Sequence, residues 1–147
     1  MRTTWVVAVL LALVVLGGCG AATSPGGPAA STGGGPSATL PAVRTKLAAL
    51  ASDECAAQPG AEAYPICSRF VREVQNVVPA VRAESGSVPS PEVLLRAADA
   101  VDGAVDRLTQ DACVATGGAP VGGPEACGPD LTSLQESFRN LVAAVGS

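Results

Sequence analysis

The chain of 147 residues contains no histidine. That absence removes Ser-His and Cys-His nucleophile pairs, histidine general bases and the common His-containing zinc sites. Aromatic side chains are nearly as scarce, with one Trp, one Tyr and two Phe. There is no P-loop and no G-x-G-x-x-G following a strand, so no nucleotide cofactor is expected. No C-x-x-C pair occurs, and wide cysteine spacings favour disulfides over a four-cysteine zinc site. No stretch shows the period-two alternation of a half-buried strand. Long hydrophobic runs are missing too. The apolar run over residues 5–16 is 12 residues long. As a helix it reaches about 18 Å, against the ~30 Å hydrocarbon layer of a bilayer.

What is present at the start is Arg2, then that short apolar run, then Gly17-Gly18-Cys19. Charge, apolar core and small residues before a cut site are the three parts of a secretory signal. The order Leu16-Gly17-Gly18-Cys19 resembles the lipobox of bacterial lipoproteins. The resemblance implies that Cys19 gains a thioether-linked diacylglycerol and palmitate-type acyl chains, and that cleavage before it makes it the mature N-terminus. Two or more acyl chains hold a protein stably where one does not, since each buried methylene contributes ~0.8 kcal/mol. The expected organisation is a signal over residues 1–18, a lipidated cysteine and linker over 19–38, and a folded domain over 39–147. The expected location is extracytoplasmic, anchored to the cell membrane by lipid, where disulfides persist.

Ala, Val and Gly dominate and Pro is frequent, while the basic residues are nearly all Arg, with Lys46 the only lysine and Ile66 the only isoleucine. That bias resembles proteins of GC-rich actinobacteria. Arg2 leaves with the signal, so nine basic residues become eight against thirteen acidic ones, a net charge of −5. Such a balance gives no reason to expect nucleic-acid binding or electrostatic adhesion to anionic lipid. From Gly20 to Ala38 the sequence carries no charge, no aromatic and no large apolar residue. It cannot bury enough surface to order itself, and as a coil spans roughly 25 Å.

Beyond Thr39 the spacing predicts four helices, each with a proline in its first turn, where a missing N–H costs nothing. The first is expected over 41–56, with Val43, Leu47 and Leu50 on one face. The second starts near Pro65 and carries Phe70, Val71, Val74, Val77, Val78 and Val81, with a kink or early end at Pro79. The third opens at Ser90-Pro91-Glu92, with Ser90 as cap, and carries Leu94, Ala97, Val101, Val105 and Leu108. The fourth opens at Gly128-Pro129 and carries Leu131, Leu134, Phe138, Leu141, Val142 and Val145. The fold class is all-α.

The four remaining cysteines fall at the expected helix ends. Eleven residues separate Cys55 from Cys67, and thirteen separate Cys113 from Cys127. Four cysteines allow three connectivities. Neighbour pairing, Cys55–Cys67 and Cys113–Cys127, places one staple across each loop. The halves also align: apolar residues recur at matching offsets from the cysteines, and Leu50 to Cys55 matches Leu108 to Cys113 as Leu-x-x-Asp-x-Cys. The expectation is an antiparallel four-helix bundle made of two disulfide-stapled helical hairpins, as an old duplication would leave.

Carboxylates are the only catalytic-type groups left. Asp99, Asp102 and Asp106 form an acidic strip, read as a solvated face partly neutralised by Arg96 ahead of a cation site or acid/base pair. Asp53 and Asp111 lie two residues before a cysteine, where a helix dipole disfavours them, and are expected to hold an arginine or loop N–H groups. Arg69 and Arg72 form a basic strip on the second helix, read as an internal complement to the acidic strip ahead of a docking site for an acidic partner. Tyr64 is expected to pack under its own loop. No catalytic residue, metal ligand or binding residue is assigned. The expected function is a non-enzymatic cell-envelope module that binds or positions another envelope component, an envelope protein among the possible partners. The alternative is a carrier of an apolar small molecule within the bundle. A carboxylate hydrolase ranks last.

Overall fold

The structure, a computed structural model, describes residues 38–146. The expected signal, Cys19 and the linker as far as residue 37 lie outside the described residues. The described residues are helical, with α1 over Leu40–Ala51, α2 over Gly60–Ala63, α3 over Ser68–Ala83, α4 over Pro91–Gln110 and α5 over Pro124–Gly146. No strand occurs among them. The four long helices form an antiparallel bundle in the order α1–α3–α4–α5 around its axis, each packed on its chain neighbour and α5 closing against α1.

The apolar stripes read from the spacing make the core. Val43, Leu47 and Leu50 of α1 are buried, as are all six expected residues of α3. Leu94, Val101, Val105 and Leu108 of α4 are buried, and so are Leu131, Leu134, Phe138, Leu141 and Val145 of α5. Ala97 and Val142 are half-buried at the edge, while Ala98 and Ala104 join the core instead. Phe70 and Phe138, the chain's two phenylalanines, meet edge to face with ring centroids 5.8 Å apart. Such a pair adds about 0.5–1.5 kcal/mol beyond its buried area.

Neighbour pairing of the cysteines holds. Cys55–Cys67 and Cys113–Cys127 are both disulfides, with Cα atoms 5.7 and 5.4 Å apart. They point to an oxidising, extracytoplasmic setting. Among the described residues no helix is long and apolar enough to cross a membrane.

Several helix ends differ from the sequence reading. α1 stops at Ala51, and Cys55 lies in a separate 3₁₀ turn, Glu54–Ala56, capped by Asp53. α3 begins at Ser68 rather than near Pro65, and it runs past Pro79 to Ala83. Pro79 and Gln75, whose carbonyl loses its donor, are both exposed residues, while Val81 beyond them is fully buried and keeps the helix against the core. Ser90 precedes α4 but its side chain makes no cap bond; its carbonyl instead accepts from Val93 and Leu94. α5 starts at Pro124, before the expected Gly128-Pro129, so Cys127 lies inside its first turns and exposed Pro129 within the helix. Pro124-Glu125 is itself a first-turn signature like Pro91-Glu92.

The bundle's two ends are distinct. Ala38 and Ala42 line one groove with Ala80, and Arg44 donates through Nε and an Nη to the Val145 carbonyl at 3.1 and 2.9 Å. The described chain therefore enters beside the ends of α3 and α5. Both stapled loops lie at the other end.

Candidate functional site at the stapled end

The first loop, between Cys55 and Cys67, is built rather than slack. Asp53 Oδ1 accepts the Cys55 N–H at 2.9 Å, the loop-N–H role expected of it. α2 then lies directly on the start of α5. A Cβ on Gly60 would sit 2.2 Å from the Gly128 carbonyl oxygen, and one on Gly128 would sit 2.9 Å from Ala61 Cα. Only glycines admit this approach. Deeper in, the buried Gln135 donates through Nε2 to the carbonyls of Cys55 and Gln58, each at 2.8 Å. Tyr64 packs against the core beneath the loop, as expected.

The second loop leaves α4 through a left-handed residue. Ala112 has φ 55°, the Cys113 N–H reaches the Leu108 carbonyl at 2.8 Å, and the Ala112 N–H reaches the Thr109 carbonyl at 3.2 Å. This is the Schellman arrangement, with alanine where glycine is usual. Gly122 then crosses the staple so closely that a Cβ there would lie 2.5 Å from Cys127 Sγ.

The second loop is tied to the first turns of α3 at Ala115. Its N–H donates to Ser68 Oγ at 2.8 Å, and its carbonyl accepts from Arg72 Nη1 at 2.8 Å. Sequence reasoning missed Ser68, Gln135, Gly60, Gly128 and Gly122 because each acts through a contact distant in the chain. The resulting surface has a concavity of about 290 Å³ lined by Ile66, Arg69, Arg72, Thr116 and Gly118, among others. Ile66, the sole isoleucine, is 72% exposed there.

The charged groups sort differently from the expected scheme. The acidic strip of α4 is complemented by Arg82, whose two terminal nitrogens lie 2.7 Å from Asp99 and 2.5 Å from Asp102. Those two carboxylates hold the guanidinium proton more firmly than usual. Arg69 and Arg72 do not reach that strip. Arg96 turns to Glu92 at 3.8 Å rather than to Asp99. Lys46 joins α1 to α3 through Glu73 at 2.5 Å and holds that carboxyl below its ordinary pKa. Among the described residues no three Cys, Asp or Glu side chains converge as a metal-ligand set.

Asp111 does not repeat the role of Asp53, although both stand in the same Leu-x-x-Asp-x-Cys frame. Its carboxyl meets that of Asp130, where burial first, and then Asp111, raise the Asp130 pKa above its ordinary value. Arg107 Nε, 3.6 Å from Asp130 Oδ1, opposes the shift. Oδ2 of Asp130 is sealed from solvent without a donor. The nearness of a second carboxylate disfavours the charged form of Asp130.

Compared with protein-family models, curated proteins and solved structures, the chain matches none.

Proposed function

We propose that this protein is a lipid-anchored module of the cell envelope that binds or positions another envelope component and catalyses no reaction. Cys19 is its lipidation site and the linker its leash. The observation that carries the reading is the polarity of the bundle. The chain enters at one end, and the opposite end is made of two disulfide-stapled loops, the first packed on α5 through Gly60 and Gln135 and the second tied to α3 at Ala115. A surface fixed in this way loses little conformational entropy when it meets a partner.

The test is native electrophoresis of envelope complexes from a host lacking the protein. The expected result is loss or displacement of one complex, restored by the wild-type chain and not by a Cys19→Ser chain released from the membrane. An unchanged set of complexes contradicts the proposal.

The carrier reading has one observation in its favour. A groove of about 280 Å³ between α1 and α3 is lined by Ala42, Val43, Val77 and Ala80, with Lys46 and Glu73 at its side. Its volume falls just short of the ~300–1,000 Å³ typical of small-molecule sites. Val77→Trp would fill it. Loss of a co-purifying apolar compound in that variant supports a carrier, and an unchanged yield of that compound excludes this groove.

A further inference from the structure

Resting on the binding-module reading, we infer that the stapled end is the docking surface and that its occupant is an extended acidic peptide segment of an envelope protein. The segment lies across Ile66, Arg69 and Arg72, against the loop over residues 115–118.

Charge selects the occupant. The acidic strip is taken by Arg82 and Glu73 by Lys46, so among the described residues Arg69 and Arg72 form no salt bridge and act on Glu73 only at longer range. Arg72 gives one N–H to Ala115, and its guanidinium has further donors to offer. Three residues apart on α3, the two arginines lie on one face. The whole chain is acidic, with a formal charge of −4. This patch therefore attracts a carboxylate-rich segment that much of the remaining surface repels, and that contrast orients the encounter.

Two features point to a peptide rather than to a charged polysaccharide or lipid headgroup. Ile66 offers an aliphatic surface that a polypeptide side chain can cover. Thr116, Gly117 and Gly118 make no main-chain hydrogen bond among the described residues, and a Cβ on either glycine would meet nothing within 4 Å. Their amide groups are open to the main chain of an extended segment. A headgroup source is disfavoured by position, because the chain enters the bundle at the far end.

The experiment is photo-crosslinking in the living host, with a benzophenone amino acid at Ile66 of the full-length chain, and separately at Val93 on the first turn of α4, near the chain-entry end. The expected result is an adduct from position 66 that maps to an acidic segment of one envelope protein. Arg69→Glu should lower its yield about tenfold, and reversing the charges of the mapped segment should restore it. Among the described residues Arg69 makes no side-chain hydrogen bond or salt bridge and acts on Glu73 only at longer range, so this variant should lose little in melting temperature; Ile66→Asp, read with the benzophenone moved to Thr116, is a second variant with the same expected loss. An adduct from position 93 alone overturns the docking surface and leaves the binding-module reading standing. Adducts from neither position overturn both. A lipid or glycan adduct at position 66, or a protein adduct indifferent to Arg69→Glu, overturns the acidic peptide.

Discussion

Gln135 stands four residues after Leu131 and three before Phe138, on the apolar stripe of α5, where it is 5% exposed and ties the first loop down. Its spacing marks it as inward but does not name its partners, because both acceptors lie about 80 residues away in the chain. Gln135→Leu leaves two carbonyls without their donor and should cost about 1–3 kcal/mol in urea unfolding. Amide exchange over residues 56–63 should quicken in the same variant. Ala112 offers the opposite change. An alanine in the left-handed region costs about 1–2 kcal/mol, while the looser unfolded chain of a glycine variant returns about 0.4–1 kcal/mol of that. Ala112→Gly should therefore stabilise the domain by about 0.5–1 kcal/mol, and a lower urea midpoint would contradict the Schellman assignment. Asp130 gives a pH signature. Its folded pKa lies above the unfolded value of about 3.9, so the folded state binds the proton more tightly. Its contribution is fully present below that unfolded value and is lost as pH rises through the folded one. Asp130→Asn should thus be more stable than the wild type at pH 7, with the advantage shrinking toward pH 4. A gap independent of pH would count against the carboxyl pair.

At the scale of elements, the apolar spacing made the four long helices and nearly every core residue legible, since burial on one face repeats with the turn of a helix. The ends were less legible. A proline marks a helix start only when the fold does not carry the helix through it, and Pro79 and Pro129 both lie inside helices. α2 was not legible at all, because its four residues gain their order from contact with α5 and not from their own periodicity. The staples were readable from cysteine spacing, and tryptic mapping checks them directly. Neither loop contains Lys or Arg, so the peptides over 47–69 and 108–139 should each carry an internal disulfide. Removing either pair by Cys→Ala should cost about 3 kcal/mol. The consequences should differ in place. Without Cys55–Cys67, the first loop keeps Gln135 and the glycine contact, so residues 60–63 should remain partly protected from exchange. Without Cys113–Cys127, Val121 and Gly122, whose N–H groups reach the Ala112 carbonyl, should lose protection more completely. Equal loosening of both loops would contradict the docked role of α2.

For the whole molecule, composition narrowed the chemistry early: a chain without histidine and with four paired cysteines has no histidine-based nucleophile or general base and no free thiol among those four. The location of the proposed docking surface was not legible, because it depends on which arginine finds a carboxylate. Arg82 sits where it spans Asp99 and Asp102, and this leaves Arg69 and Arg72 to the stapled end. The central claim is that this end meets a protein while the chain's other end leads to lipid. Native mass spectrometry of the mature chain, gently extracted from its host's membranes, tests it most directly. The account predicts a chain lipidated at Cys19 together with a stoichiometric protein companion, and loss of that companion in the Arg69→Glu chain. A lipidated chain carrying a discrete small apolar mass and no protein, unchanged by Arg69→Glu, would contradict it.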